Sequence, residues 1–168
     1  MRTMIAQSTL SSVFGAALAF SSIVPIPVQA QTNCPTVEEG DIAQLFDRWN
    51  ASLQTGDPDA VVQNYAQDGV LLPTVSNQVR TNHDEIKDYF VKFLALKPEG
   101  KINQQNIRVF CGLAINSGIY TFNVTQDNQA AQVQARYTFV YQKIDDNWVI
   151  VEHHSSAMPE VIGVSAHK

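Results

Sequence analysis

Near its C-terminus the chain runs Glu152-His153-His154-Ser155-Ser156. Carboxylate, imidazole and hydroxyl so close together can move a proton, hold a metal ion or polarise a bound oxygen. The stretch continues Trp148-Val149-Ile150-Val151, which reads as a strand. Side chains alternate along a strand, so His153 and Ser155 share one face while Glu152, His154 and Ser156 share the other. The two adjacent imidazoles are therefore poorly placed to serve one metal ion. A three-histidine zinc site would need His83 and His167 to converge on one of them, so no metal ligand is assigned. The competing reading is that the Ser/His run only satisfies backbone groups where the strand ends.

The neighbouring strand offers a choice of inner face. Tyr137, Phe139 and Tyr141 alternate with the more polar Arg136, Thr138 and Gln142, so the aromatic set is expected to line a cavity. If Asp145–Asn147 forms a three-residue turn, Ile144 opposes Trp148, Phe139 opposes His153 and Tyr137 opposes Ser155. A two-residue turn puts His154 and Ser156 inside instead. We take the first register, with His153 and Ser155 inward. A second polar cluster, Thr74-Val75-Ser76-Asn77, follows the apolar Leu71-Leu72-Pro73. Thr74 is well placed at a pocket mouth, although Ser76 and Asn77 suit an ordinary turn equally well. Tyr89 needs a hydroxyl partner if buried, which makes it a better pocket candidate than Phe90.

These residues must be held by helices first and strands afterwards. Thr36-Val37-Glu38-Glu39 has the form of a capping box. Ile42, Leu45, Phe46, Trp49 and Leu53 then recur at helical spacing until Gly56. Asp57-Pro58 starts a second helix carrying Val61, Val62 and Tyr65, ending before Asp68-Gly69. A short strand, Val70–Leu72, precedes a third helix over His83–Leu96. From Ile102 onward four period-two stretches, 102–111, 113–125, 130–143 and 148–155, are separated by turn residues. The fold class is α+β, with N-terminal helices packed on a strongly curved antiparallel sheet.

The 168 residues carry 11 Lys+Arg, 16 Asp+Glu and a formal charge of −5. An acidic chain without a basic stripe argues against nucleic acid. The absence of Gly-rich phosphate loops and of paired Cys-x-x-Cys removes nucleotide enzymes and zinc ribbons. Residues 1–30 combine Arg2, an apolar run from Leu10 to Ile26 and Val28-Gln29-Ala30, the layout of a cleaved secretory signal. A retained anchor is the alternative, although serines and two prolines interrupt the run. The mature domain is then 31–168, exported to the periplasm or secreted, with no membrane attachment after cleavage. In an oxidising compartment Cys34 and Cys111 favour a disulfide over two free thiols.

The ending Trp148–Glu160 and the helix-then-sheet order resemble the association-domain branch of the nuclear-transport-factor-2-like superfamily, which includes the assembly domain of calcium/calmodulin-dependent kinase II. Within it, Leu71–Asn77, Asp88-Tyr89-Phe90, Ala135–Tyr141 and His153–Ser156 resemble the iota-class carbonic anhydrases. The resemblance implies a cone-shaped fold, a homodimer or larger homo-oligomer, and reversible hydration of carbon dioxide to bicarbonate by a lyase that works without a cofactor in some members. It implies a hydroxyl set of Thr74, Tyr89 and Ser155, with His153 as proton carrier and Tyr137 and Phe139 beside the substrate. Glu152 stands where relatives commonly have a third histidine, which weakens any manganese or zinc site resting on a histidine run. Two other readings share the fold. One is an isomerase- or cyclase-like enzyme or small-molecule binder using Asp68 or Glu152; the other is a non-enzymatic assembly module.

Overall fold

The structure, a computed structural model, describes Cys34 and residues 36–159; the expected signal segment 1–30, Glu160 and His167 lie outside the described residues. Helix α1 (Glu39–Gln54) buries Ile42, Leu45, Phe46, Trp49 and Leu53 along one face, as the apolar spacing requires. Its N-cap is Glu38, whose amide donates to Asp41 Oδ2 at 3.3 Å. The capping box therefore starts two residues later than Thr36, because the acidic run offers a carboxylate at the third helical position in either register. Gly56, at φ +70°, ends the helix.

Asp57 caps α2 (Pro58–Val62) by accepting from the Asp59 amide at 2.9 Å. The helix stops earlier than its composition suggests, and Tyr65 opens strand β1 (Tyr65–Leu72) instead. Sheet pairing decides this: the Ile150 amide donates to Asn64 O at 2.8 Å, drawing the chain onto the last strand. Helix α3 (His83–Leu94) is capped by Asn82 and buries Ile86, Phe90 and Leu94.

Strands β2 (Glu99–Phe110), β3 (Leu113–Gln126), β4 (Gln129–Ile144) and β5 (Asn147–Ala157) form an antiparallel meander, and the sheet order is β1-β5-β4-β3-β2. The first strand adds to the edge of β5 in parallel, so the sheet is mostly, not wholly, antiparallel. Helix α1 lies across its inner face, where Phe46 and Trp49 meet Tyr120, Phe122, Tyr137 and Phe139. Arg48 ties the helix to the sheet through Asn64 Oδ1 (3.0 Å) and Trp148 O (2.7 Å).

The β4–β5 hairpin differs from the expected three-residue loop. Ile144 pairs with Asn147 across a two-residue turn, Asp145-Asp146, with both residues at positive φ, as such tight hairpin turns demand. That turn alone would have put His154 and Ser156 inside. A bulge at Val151 adds one unpaired residue, so Tyr141 pairs with Ile150 and Val140 with Glu152. Beyond the bulge Phe139 opposes His153 and Tyr137 opposes Ser155. The expected inner face is thus reached by a different local route, and Ile150 is buried with it.

Cys34 and Cys111 form a disulfide with their Cα atoms 5.2 Å apart. Cys111 occupies the turn between β2 and β3 beside Gly112, just past the strand the sequence assigned it to.

Candidate functional site

Between the inner face of the sheet and α3 lies a cavity of about 130 Å³. Its wall is largely apolar, combining Trp49, Phe90, Phe93 and Phe122 with aliphatic Leu71 and Val124, and it is crossed by a short band of polar groups from Thr74, Tyr89, Tyr120, His153 and Ser155. Drug-sized ligands occupy roughly 300–1,000 Å³, so the space suits a molecule of a few heavy atoms.

Four residues expected from sequence meet here. Thr74 follows β1 in the loop before Arg80, whose backbone is pinned to Leu71 by a pair of hydrogen bonds (2.8 and 2.9 Å). This places the Thr74 Oγ1 in hydrogen-bond contact with Ser155 Oγ. Tyr89 enters from α3, half-buried, its phenol pushed up to about 12 by burial and pulled slightly back by Arg80. His153 is 3% exposed. Its ring stacks on Phe139 with centroids 4.0 Å apart and meets Trp49 edge-on at 5.3 Å.

Two residues expected beside the substrate do not reach the cavity. Phe139 lies behind His153 as its stacking partner, and Tyr137 stacks on Tyr120 at 4.9 Å while its hydroxyl donates to Asn116 Oδ1 at 3.0 Å. The sheet curves around α1, whose Phe46 contacts both rings. The concave face over Tyr137 and Phe139 is therefore filled, and space remains only on the α3 side.

The role expected of His153 also changes. Burial, reinforced by the neighbouring His154, lowers its pKa to about 3, because an apolar site disfavours the imidazolium. The ring stays neutral near pH 7 and cannot carry a proton as an imidazolium. The carboxylates considered for acid–base work lie elsewhere: Asp68 and Glu152 are exposed, and neither lines the cavity. Among the described residues no three His, Cys, Asp or Glu side chains gather as metal ligands would.

Three contributors escaped the sequence reading. Tyr120 donates to Ser155 Oγ at 2.5 Å, so Ser155 stands between Tyr120 and Thr74. Tyr65 bonds His153 Nδ1 at 2.9 Å and is itself bonded by Trp49 Nε1 at 3.2 Å. Tyr120 had the period-two signal of an inner-face residue with Phe122 and Val124. Tyr65 was hidden by its reading as helix, and Trp49 looked like an ordinary core tryptophan.

Residues 38–159 match the family model described as calcium/calmodulin dependent protein kinase II association domain. A Xanthomonas campestris protein provisionally assigned as such a domain is 46% identical in a crystal structure. The likeness covers 86% of this chain and all of that one at a TM-score of 0.73. A nuclear transport factor 2-like superfamily protein from Salmonella enterica is 19% identical, with TM-score 0.64 over 77% of this chain and 96% of its own. An NTF2-like protein with a cystatin-like fold from Novosphingobium aromaticivorans is 12% identical, with TM-score 0.62 over 74% and 84%. These last two share the fold alone. No curated protein matches the sequence. The family match across the described domain, together with the close Xanthomonas relative, places this chain in the calcium/calmodulin-dependent protein kinase II association-domain family.

Proposed function

We propose that the cavity hydrates carbon dioxide to bicarbonate, as an iota-class-like carbonic anhydrase, through hydroxyl groups and without requiring a metal. The observation that carries this is the meeting of Thr74, Tyr89, Tyr120 and Ser155 in one small, mostly apolar chamber. Apolar walls suit an apolar linear molecule. Fixed hydroxyl dipoles in such surroundings stabilise charge that develops on its oxygens, and holding water and gas together supplies much of the remaining advantage.

Tyr120 donates to Ser155, and of the three hydroxyl protons in the Tyr120–Ser155–Thr74 chain one is left for a bound molecule, carried by Thr74 when Ser155 donates to it. A water bonded to this pair attacks the carbon; the new C–O bond forms as one C=O bond opens. The pair accepts the water's proton and returns its own to the opened oxygen. Carbonic acid then forms with no group in the site changing charge, and it ionises to bicarbonate and a proton on leaving. Such a relay accords with an imidazole held neutral by burial. Stopped-flow hydration by the oxidised protein, before and after exhaustive chelation, tests it. Activity that survives chelation and disappears in the double variant Thr74→Ala/Ser155→Ala is expected. A folded, oxidised sample inert in both states would overturn the reading, and restoration by one added manganese or zinc ion would replace it with a metal mechanism.

The same family points to self-association, and we infer that the chain forms a homodimer or larger homo-oligomer through the outer face of its sheet. Supporting this, Leu113, Ile115, Ile119, Val140 and Val149 lie only half-buried on the side away from α1. We further infer export, with residues 1–30 as the cleaved signal; the Cys34–Cys111 bond suits an oxidising compartment. Among the described residues no helix is long and apolar enough to cross a membrane.

A further inference from the structure

His153 Nε2 is buried and has no hydrogen-bond partner among the described residues, although its residue lines the cavity. Buried polar groups without partners are few in a folded protein, alongside Arg80 Nε, Asn116 Nδ2 and Tyr141 OH here, and this one belongs to a residue that lines a cavity with room for a partner. What Nε2 can offer depends on which ring nitrogen carries the proton, and the surrounding bonds determine this. Trp49 Nε1–H can only donate, so at 3.2 Å it uses Tyr65 OH as an acceptor. Tyr65 is fully buried and its phenol is held above its usual range by that burial, so it keeps its proton. The acceptor available to that proton is His153 Nδ1, 2.9 Å away. With Nδ1 accepting, a neutral ring must carry its hydrogen on Nε2.

We propose that Tyr65, oriented by Trp49, is a positioning residue that locks His153 in the Nε2–H form, and that this N–H donates to one oxygen of a small planar oxyanion held in the cavity. Bicarbonate is the physiological member of that class if the hydration reading holds, and the inference rests on that reading for this identity alone; formate and nitrate share the shape and charge. The donor set would then be His153 Nε2–H, its ring fixed by packing on Phe139 and Trp49, with the Thr74 and Tyr89 hydroxyls, an array of neutral donors. Such an array binds an anion without a formal positive charge.

Long-range proton–nitrogen NMR of the oxidised, ¹⁵N-labelled protein reads the tautomer directly, with His153→Gln assigning the His153 signals. Nδ1 is expected to resonate as the bare nitrogen and Nε2 as the protonated one, and titration with formate is expected to shift Nε2. In Tyr65→Phe, which keeps the ring, the tautomers should mix and formate affinity should fall about tenfold, roughly 1.4 kcal/mol. A purely structural Tyr65 would lower thermal stability and leave the tautomer unchanged. A bare Nε2 in the native protein would overturn the proposal, as would formate leaving Nε2 unmoved or Tyr65→Phe retaining the native tautomer and affinity. None of these outcomes depends on turnover. Failure of carbon dioxide hydration with the expected tautomer and formate binding would sink the hydration reading and leave an oxyanion-binding site.

Discussion

Ser155 bonds both Tyr120 and Thr74, so Ser155→Ala strands two hydroxyls at once. An unsatisfied buried hydroxyl costs about 1–3 kcal/mol, and losing a preorganised donor costs on the order of a hundredfold in rate. Urea unfolding and stopped-flow hydration should both register the change, whereas Tyr120→Phe should retain more activity because Thr74 and Ser155 remain paired. His153 makes a pH prediction. An unfolded histidine titrates near 6.5, and this one does so at about 3 when folded. Between those values the unfolded chain binds the extra proton. Stability is therefore unaffected by this group above pH 6.5 and falls by about 1 kcal/mol per unit as pH drops towards 3. Unfolding midpoints at pH 7.5 and 5 should show the loss, and His153→Gln should remove its share of it.

At the scale of elements, the site depends on how sharply the sheet bends. A register shift between Ile102 and Gln104 brings β2 close over Gly118. A Cβ added at Gly118 would lie 1.9 Å from the Gln104 carbonyl oxygen, closer than any side chain allows. Gly118→Ala must push the two strands apart, and thermal or urea unfolding should show a loss of more than about 2 kcal/mol. The bend also lets α1 fill one half of the concave face while leaving the α3 half open. The Val151 bulge serves the same end from the other side of the sheet. It carries Ile150 and His153, three residues apart in sequence, onto one inner face.

Over the whole molecule, the Cys34–Cys111 bond closes a loop of 77 residues around α1, α2, β1, α3 and β2. Constraining so long a loop in the unfolded chain is worth about 2–4 kcal/mol. Cys34→Ser/Cys111→Ser should lower the free energy of unfolding from a urea titration by that amount, and a reductant should do the same to the native protein while leaving the double variant unchanged. Light scattering tests self-association. The native chain is expected as a dimer or larger, and Ile115→Lys on the outer face is expected to shift it towards monomer with an unchanged circular dichroism spectrum.

Much of this was legible without coordinates because it rests on local chemistry. Apolar periodicity located α1 and α3, Gly56 and Asp57-Pro58 marked where the chain turns, and alternation marked the four long strands. The even cysteine pair was legible too, whereas the inner placement of His153 and Ser155, expected from a three-residue turn, is reached through a two-residue turn and the bulge at Val151. Other features depended on contacts distant along the chain. Tyr65 left its helix because β5 captured it, and only that placement bonds it to His153. Tyr137 and Phe139 were excluded from the cavity because α1 covers them. His153 lost the proton-carrying role its residue type suggested because burial, absent from any local pattern, disfavours its charge. Residue type and spacing determined which groups could act; the tertiary structure decided which of them share a cavity, which are walled off and which protonation state each can hold. Those outcomes depend on packing and desolvation, which are set by neighbours tens of residues away.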